Sequence, residues 1–508
     1  MHDVVIVGAG PVGLFLACEL GLAGCSVLVV EKEADPDSPW RSEPLGMRGL
    51  FGFSTGAFYR RGLLDALVAA STDLSRGRDT RTATGEPSGP PPIGHFAGMV
   101  LDPALVDIET LPFRLPSPAP DFMVTSLEAV ESLLAERAVK LGVDIRRGVT
   151  VDGVTQDADH VVVSADQGEF EARWVVGCDG GRSAVRRLAG FDFAGTEPQA
   201  TGYTLLGTFA DPEKLRPGIN LTPTGMYLRM SVEGHIGMMD FDGGAYDRSR
   251  PPTRDHLQTV LRRVSGTDVT LSDVRVASTY TDRAKQATTY RQGRVLLAGD
   301  AAHIHSPLGG QGLNTGIGDA VNLGWKLAAT VRGHAPDDLL DTYDQERHPI
   351  GAQVLDWSRA QVAIMRSDRY AQAAQSVVRD LLGTEDGTTY VFERVSGASI
   401  RYDLGSAHPL VGRSAPNFLL GDGTCLGELM RDGRGVVLDF SADRRLSGPA
   451  AAWRGRLRHV SGTPSDDLGL GAVLVRPDGA VAWTDVHDFA TDGFERAASR
   501  WFGHPQAA

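Results

Sequence analysis

Residues 294 to 327 read RVLLAGDAAHIHSPLGGQGLNTGIGDAVNLGWKL, and they carry the densest set of groups able to do chemistry. A hydrophobic run ends in Gly299 and Asp300, a loop follows with glycines at 309, 310 and 312, and a helix comes after it. A carboxylate at a strand end can accept hydrogen bonds from sugar-like hydroxyls, or it can simply cap a helix. A glycine loop running into a helix presents backbone N–H groups and the positive end of the helix dipole. Asn314 follows at a spacing that brings those donors to one place, suited to a ligand that develops negative charge. His303 and His305 resemble a metal pair, but no third ligand stands nearby, so hydrogen bonding is the expected role and no metal is assigned.

The N-terminus carries a second glycine loop. VVIVGAGPVG sets Gly8, Gly10 and Gly13 between an apolar strand and a helix, and Glu31 closes the next strand, SVLVVE, where an acidic residue meets a ribose. Alone this says only that a dinucleotide is bound. Together with Asp300 and the later loop it suits a ribityl chain and the anionic pyrimidine ring of a reduced isoalloxazine.

The elements that must position these groups are legible in outline. Strand, helix from Val12 to about Ala23, and strand open a doubly wound sheet. Residues 126–142 place Leu127, Val130, Leu133, Leu134 and Ala138 at helical spacing with Gly142 as a stop. Strand-like segments from 149 to 176 end in CDGGRSAVRR, which returns the chain to the nucleotide-binding sheet. Residues 195 to 281 alternate as antiparallel strands with one helix, RDHLQTVLRRV. A helical region runs from 316 to about 383.

Composition narrows the class. The chain has 508 residues, 22% charged and 42% hydrophobic, with a formal net charge of −14. That length calls for two or three domains, and the acidic balance argues against nucleic acid or an anionic membrane as partner. No long apolar run and no leader-like start are present, so a cytoplasmic protein is expected. Cys18, Cys25, Cys178 and Cys425 are scattered and read as reduced thiols.

GAGPVG with Glu31, CDGGRSAVRR, and the segment from Ala298 to Leu327 resemble the three fingerprints of the single-component FAD-dependent aromatic hydroxylases, the p-hydroxybenzoate hydroxylase type. Within that family the chain is most similar to the group of actinobacterial aromatic polyketide hydroxylases and rifampicin monooxygenase. The resemblance covers nearly the whole chain and implies an α/β fold: a doubly wound FAD-binding domain, an α+β sheet-based substrate domain, and a C-terminal thioredoxin-like domain. The implied boundaries are 1–75, 123–190 and 281–395 for FAD binding and the helical region, 76–122 for an excursion into the substrate domain, 191–280 for that domain, and 396–508 for the last unit. VVLDFSADRRLSG resembles a thioredoxin active-site turn, but Arg445 and Gly448 replace its cysteines, so a structural or oligomer-contact role is expected.

By the same resemblance, Gly8, Gly10, Val12 and Gly13 hold the diphosphate, Glu31 and Lys32 flank the adenosine ribose, and Arg41 contacts FAD. Leu127 stands near the position of a family glutamine that is missing here, which leaves a backbone contact. Asp179 serves FAD and the nicotinamide cofactor, with Arg182 and Arg186 nearby. Asp300 holds the ribityl chain, Pro307 lies beside the ring, and Gly312, Leu313 and Asn314 meet its pyrimidine edge. Arg48 and GLFGFSTGAF lie where a mobile flavin passes. Substrate-side candidates are Phe96, Tyr227, Met230, His235, Met238 and Met239, with Asp240 a further phenol-orienting group, although core packing explains the Met and Phe equally well.

The implied activity is a monooxygenase that uses NADPH or NADH and O2 to hydroxylate an aromatic polyketide or related phenol through a flavin C4a-hydroperoxide. The cofactor carries the chemistry, so no catalytic side chain is assigned. Expected partners are a small-molecule aromatic substrate and, at most, a second copy of the chain, as monomer or homodimer. A Baeyer-Villiger or ring-cleaving oxygenase and a non-catalytic, polyketide-binding flavoprotein are the alternatives.

Overall fold

A computed structural model describes residues 1–71, 93–108, 111–229, 232–485 and 491–505. Met230 and residues 76–92 of the expected excursion lie outside the described residues. The main sheet has eight strands, centred on His2–Val7. That strand pairs in parallel with Val27–Glu31 on one side and Gly168–Gly177 on the other; Asp144–Arg147 and Val295–Leu297 extend the parallel array at its two ends. Val4 to Val7 and Val27 to Val30 are buried without alternation, because helices cover both faces of the central strands. The helix Pro11–Leu22 is buried nearly all round, wedged between Gln311–Val331 and Leu127–Lys140.

A second sheet is antiparallel and has five strands, ordered Gly218–Thr222, Gly225–Arg229, His235–Asp240, Thr201–Phe209 and Leu271–Thr281. Its two faces part cleanly. Tyr203, Leu205, Tyr227, Ile236 and Met238 pack under the helix Arg254–Ser265 through Leu257, Val260, Leu261 and Val264. Ala200, Met226 and Met239 face the other way, toward Phe96 of the hairpin His95–Phe96/Met99–Val100, Phe51, Leu308 and Met365.

The C-terminal sheet has four strands, ordered Leu457–Ser461, Gly435–Asp439, Ala472–Val475 and Val481–Asp485, the first pair parallel and the others antiparallel. Its core is not its own. Trp325, Ala329 and Ile350, from the helices that follow the second glycine loop, and Leu339 of the turn between them are buried in the same cluster as Phe418, Val437 and Leu474. Trp325 stacks against Trp501 and Phe502 with ring centroids 6.5 and 6.4 Å apart. Among the described residues no helix is long and apolar enough to cross a membrane. Burial pushes the Cys18 thiol up to about 12 and that of Cys25 up to about 11, which removes both as nucleophiles.

Candidate active site

The three glycines of the first loop do different work. A Cβ on Gly8, whose φ is +110°, would stand 2.4 Å from the Cys178 carbonyl oxygen, and one on Gly13 would stand 2.0 Å from the Gly8 oxygen. Both are glycine so that backbones can touch. A Cβ on Gly10 would meet nothing within 4 Å. The open space for a ligand is therefore over Gly10, at the N-terminus of Pro11–Leu22, where no side chain caps the helix and Pro11 removes one competing donor. The Val12 side chain fills the gap between Gly299 and Gly316, with Cβ positions there 3.1 and 2.5 Å from its Cγ2, so only its backbone can serve a diphosphate.

Glu31 is buried, and its two oxygens accept from the amides of Ala9 at 2.8 Å and Glu33 at 2.9 Å. The carboxylate is thus locked to the glycine loop, with lone pairs left for ribose hydroxyls. Lys32 is exposed and pairs with Glu33 at 3.6 Å. Arg41 meets Glu131 at 3.0 Å, and burial raises the Glu131 carboxyl to about 7 although Arg41 pulls the other way. The Leu127 amide donates to the Gly46 carbonyl at 2.9 Å, so the expected backbone contact from this residue is already spent. Arg48 has solvent-accessible surface yet is hemmed in by protein, as a residue lining an internal cleft is, and Asp300 and Glu131 are the charges that draw on it.

The strand in the later motif stops at Leu297, and Gly299–Ala301 form a tight turn, so Asp300 caps no helix. Its carboxylate is exposed and bonds no described residue. Asp319 holds the turn from behind: it accepts from the Gly299 amide at 3.0 Å, His303 Nε2 at 2.7 Å and Arg347 Nε at 2.8 Å, all buried. His303 is therefore occupied by hydrogen bonding. His305 Nδ1 faces the Ser306 carbonyl at 2.7 Å and must carry the proton, which leaves Nε2 an acceptor, buried without a partner and 3.7 Å from a Cβ built on Gly312. Gly310 starts the helix in the left-handed conformation with no side-chain cap, so the first amides, including Gly312 and Leu313, have no intrahelical acceptor. The Asn314 side chain is spent on the protein: it accepts from the Phe51 amide at 2.9 Å and donates to the Gly49 and Gly310 carbonyls, both at 2.9 Å. Pro307 is exposed beside the buried Leu308.

Asp179 presents one oxygen to the amides of Ala184 and Val185, at 2.6 and 3.1 Å, while its other oxygen is buried with no partner. Arg186 is turned inward, donating to the Ala301 and Gly181 carbonyls at 2.8 Å each and lying 3.7 Å from the Phe193 ring centroid. Open space over Gly10, unpaired amides at two helix starts, the free Asp300 carboxylate and an orphaned oxygen on Asp179 together fit FAD.

A family profile described as FAD binding domain matches residues 1–358, and one described as aromatic-ring hydroxylase, C-terminal, matches residues 408–505. The chain belongs to the FAD-dependent aromatic hydroxylases. Rifampicin monooxygenase of Streptomyces venezuelae is 41% identical over 517 residues, covering 99% of both chains. The solved structure of the OxyS anhydrotetracycline hydroxylase from Streptomyces rimosus superposes with a TM-score of 0.84 at 36% identity over 99% of each chain. The Diels-Alderase PyrE3 of pyrroindomycin biosynthesis superposes equally fully, with a TM-score of 0.82 at 33% identity over 100% of each chain. As a member of this hydroxylase family, the protein is an FAD-dependent monooxygenase that draws on a reduced nicotinamide and O2.

The packing of the second sheet's two faces corrects part of the substrate-side reading. Tyr227 and Met238 point under the helix Arg254–Ser265, where the Tyr227 hydroxyl accepts from the Arg216 amide at 3.1 Å. Asp240 pairs with Arg263 of that helix and cannot orient a substrate. Strand period decides this: neighbours on a strand face opposite ways, and the sequence does not say which parity is inward. His235 is on the inward face but four residues from Met239, roughly 13 Å along the strand, beside Thr204. Phe96 and Met239 do lie in the cluster that reaches Leu308 of the flavin-side loop. Sequence reasoning missed Met226, Tyr280, Trp357, whose ring centroid is 4.6 Å from that of Phe96, and Gln361, which accepts from the Ala97 amide at 3.0 Å and ties the hairpin down.

Proposed function

We propose that the enzyme hydroxylates a phenolic polycyclic aromatic compound of the polyketide or antibiotic type. The observation that supports this reading most is the apolar cluster joining Leu308 of the flavin-side loop to Met226, Met239, Phe96 and Trp357. Methionine and aromatic side chains give an adaptable apolar lining suited to a fused-ring substrate, with little to hold a sugar or amino acid. The naming of the relatives for rifampicin and anhydrotetracycline points to the same substrate class.

In this reading the Val12 and Gly13 amides, beside open Gly10 and packed Gly8, take the diphosphate of FAD, and Glu31 takes the adenosine ribose. Lys32 and Arg41 lie at its rim. Asp300 and His305 Nε2 receive ribityl hydroxyls, Asp179 keeps one oxygen for the cofactor, and the first-turn amides of Gly312 and Leu313 stabilise negative charge on the pyrimidine edge. Asn314 positions that edge by holding Gly49 and Phe51, Leu127 supports the 41–46 loop, and Pro307 closes the ring's side. Bound FAD, reduced by the nicotinamide, supplies the activated oxygen. The chain orients the aromatic ring and excludes water from the cavity.

The C-terminal unit reads as thioredoxin-like, on the parallel pair plus closing antiparallel hairpin, with Arg445 and Gly448 in place of the dithiol. We place the enzyme in the cytoplasm, as monomer or homodimer.

Purified FAD-loaded protein should consume NADPH or NADH faster when given tetracyclic or angucyclic phenols, with product mass rising by one oxygen atom. No stimulation across such phenols would overturn the reading. The relative named a Diels-Alderase gives the contrasting outcome, a product of unchanged mass, and the same mass measurement tells the two apart.

A further inference from the structure

Five enclosed tyrosines have hydroxyl partners: Tyr203 with His256, Tyr227 with the Arg216 amide, Tyr290 with Gln286, Tyr343 with the Leu297 carbonyl and Tyr402 with Arg347. Tyr280 differs from all of them. It sits near the end of the strand Leu271–Thr281, in register opposite Gly202, on the sheet face that carries Met226 and Met239. Its ring lies flat on the backbone there, since a Cβ on Gly202 would stand 2.1 Å from Cε2 and 2.2 Å from Cζ. Any other residue at 202 would lift the ring off the sheet. Tyr280 packs against the same apolar cluster as Ile219, Leu221 and Phe241, the one that holds Phe96, and its hydroxyl bonds no described residue.

An aromatic hydroxyl that bonds no protein group and keeps accessible surface beside an apolar cluster is free to donate to a ligand. Tyr280 is surrounded by protein yet keeps an accessible edge, so it lines the cavity rather than filling the core. Burial pushes its hydroxyl up to about 12, so near neutral pH it stays protonated and donates.

We propose that Tyr280 is a specificity-determining residue that donates a hydrogen bond to an oxygen on the substrate's aromatic ring, with Gly202 setting the ring's position. This rests on the substrate reading above and deepens it: the substrate carries a phenol, quinone or carbonyl oxygen that reaches the sheet face while the rest of its ring system lies toward Met226 and Phe96. A site whose donor is completed only by the substrate's oxygen rejects an analogue that lacks the acceptor more strongly than an apolar pocket rejects a missing methylene.

The test uses the FAD-loaded enzyme and Tyr280→Phe, which keeps the ring and removes only the hydroxyl. Binding of 1-naphthol and of naphthalene is followed by the change in the flavin absorbance spectrum, with FAD content and Tm recorded for both proteins. The expected result is that the wild type prefers 1-naphthol by about tenfold or more, that Y280F loses most of this preference, and that naphthalene affinity, FAD content and Tm are unchanged. Should no phenol accelerate NADPH oxidation, the hydroxylation reading fails while the binding ratio still judges Tyr280. Equal preference for 1-naphthol in wild type and Y280F would overturn the proposal.

Discussion

Arg476 donates from Nη1 and Nη2 to the two carboxylate oxygens of Glu346, at 2.8 and 2.7 Å, across 130 residues of chain. Both side chains are buried, and the contact joins the closing hairpin of the C-terminal sheet to the helix Asp341–Met365 behind the flavin-side loop. Lys326 Nζ meets the same carboxylate at 2.9 Å, and Asp478 meets Arg476 from the hairpin itself. One residue on, Arg347 reaches Asp319, which holds the Gly299–Ala301 turn. The C-terminal unit is thus bolted to the cofactor-binding framework.

Arg476→Met should destabilise the protein by about 3–5 kcal/mol, because it leaves Glu346 and Asp478 buried with too little positive charge. Guanidinium unfolding of the FAD-loaded protein measures this. A loss below about 1 kcal/mol would mean that water reaches the cluster after the substitution.

Gly8→Ala and Gly13→Ala should give little folded protein, since each Cβ meets backbone at 2.4 Å or less. Gly10→Ala should fold, with Tm changed by only a few degrees before FAD is added, and should bind FAD at least tenfold more weakly. Fluorescence titration with FAD distinguishes the three. Full FAD affinity in G10A would show that the diphosphate passes elsewhere.

Asp319→Asn should loosen the 299–303 turn by weakening the bonds to His303 and Arg347 at once. Stability should fall by about 2–4 kcal/mol, and flavin reduction by NADPH should slow. Stopped-flow reduction checks the second effect, and an unchanged rate would separate this network from cofactor placement.

Glu131 carries a carboxyl raised to about 7 from an ordinary 4.5, with burial outweighing the pull of Arg41. A raised carboxyl keeps its proton in the folded state while the unfolded chain has lost it, so this group makes stability fall as pH rises from about 4.5 to about 7, and flatten above. The shift corresponds to at most about 3 kcal/mol. Comparing unfolding of wild type and Glu131→Gln at pH 5 and pH 8 should show the wild type losing more over that interval. Parallel behaviour would mean that Arg41 keeps Glu131 charged throughout.

Much of the nucleotide-binding framework was readable in advance. Unbroken apolar runs at Val4–Val7 and Val27–Val30 mark strands covered on both faces, and glycines at the strand-to-helix turns mark close backbone approach. The reading faltered where a decision depends on facing rather than pattern. Strand Gly225–Arg229 shows a buried Met226 and a buried Tyr227 side by side, and only the packing of Tyr227 under the helix Arg254–Ser265 reveals that Met226 faces Phe96 and Leu308. The C-terminal segment reads as a separate unit by composition, yet Trp325 and Ile350 from another part of the chain complete its core.

By itself the sequence determined the α/β class, the glycine-rich strand-to-helix turns and the family, because these depend on local period, turn chemistry and short motifs that one stretch of chain contains whole. Only the tertiary structure decided which glycine leaves room for a ligand, which face of the second sheet turns toward Phe96 and Leu308, and that Tyr280 lies on Gly202 with its hydroxyl unpaired. Those are properties of residues brought together from strands and helices far apart in sequence, where contact and burial, rather than residue type, set what a side chain can do.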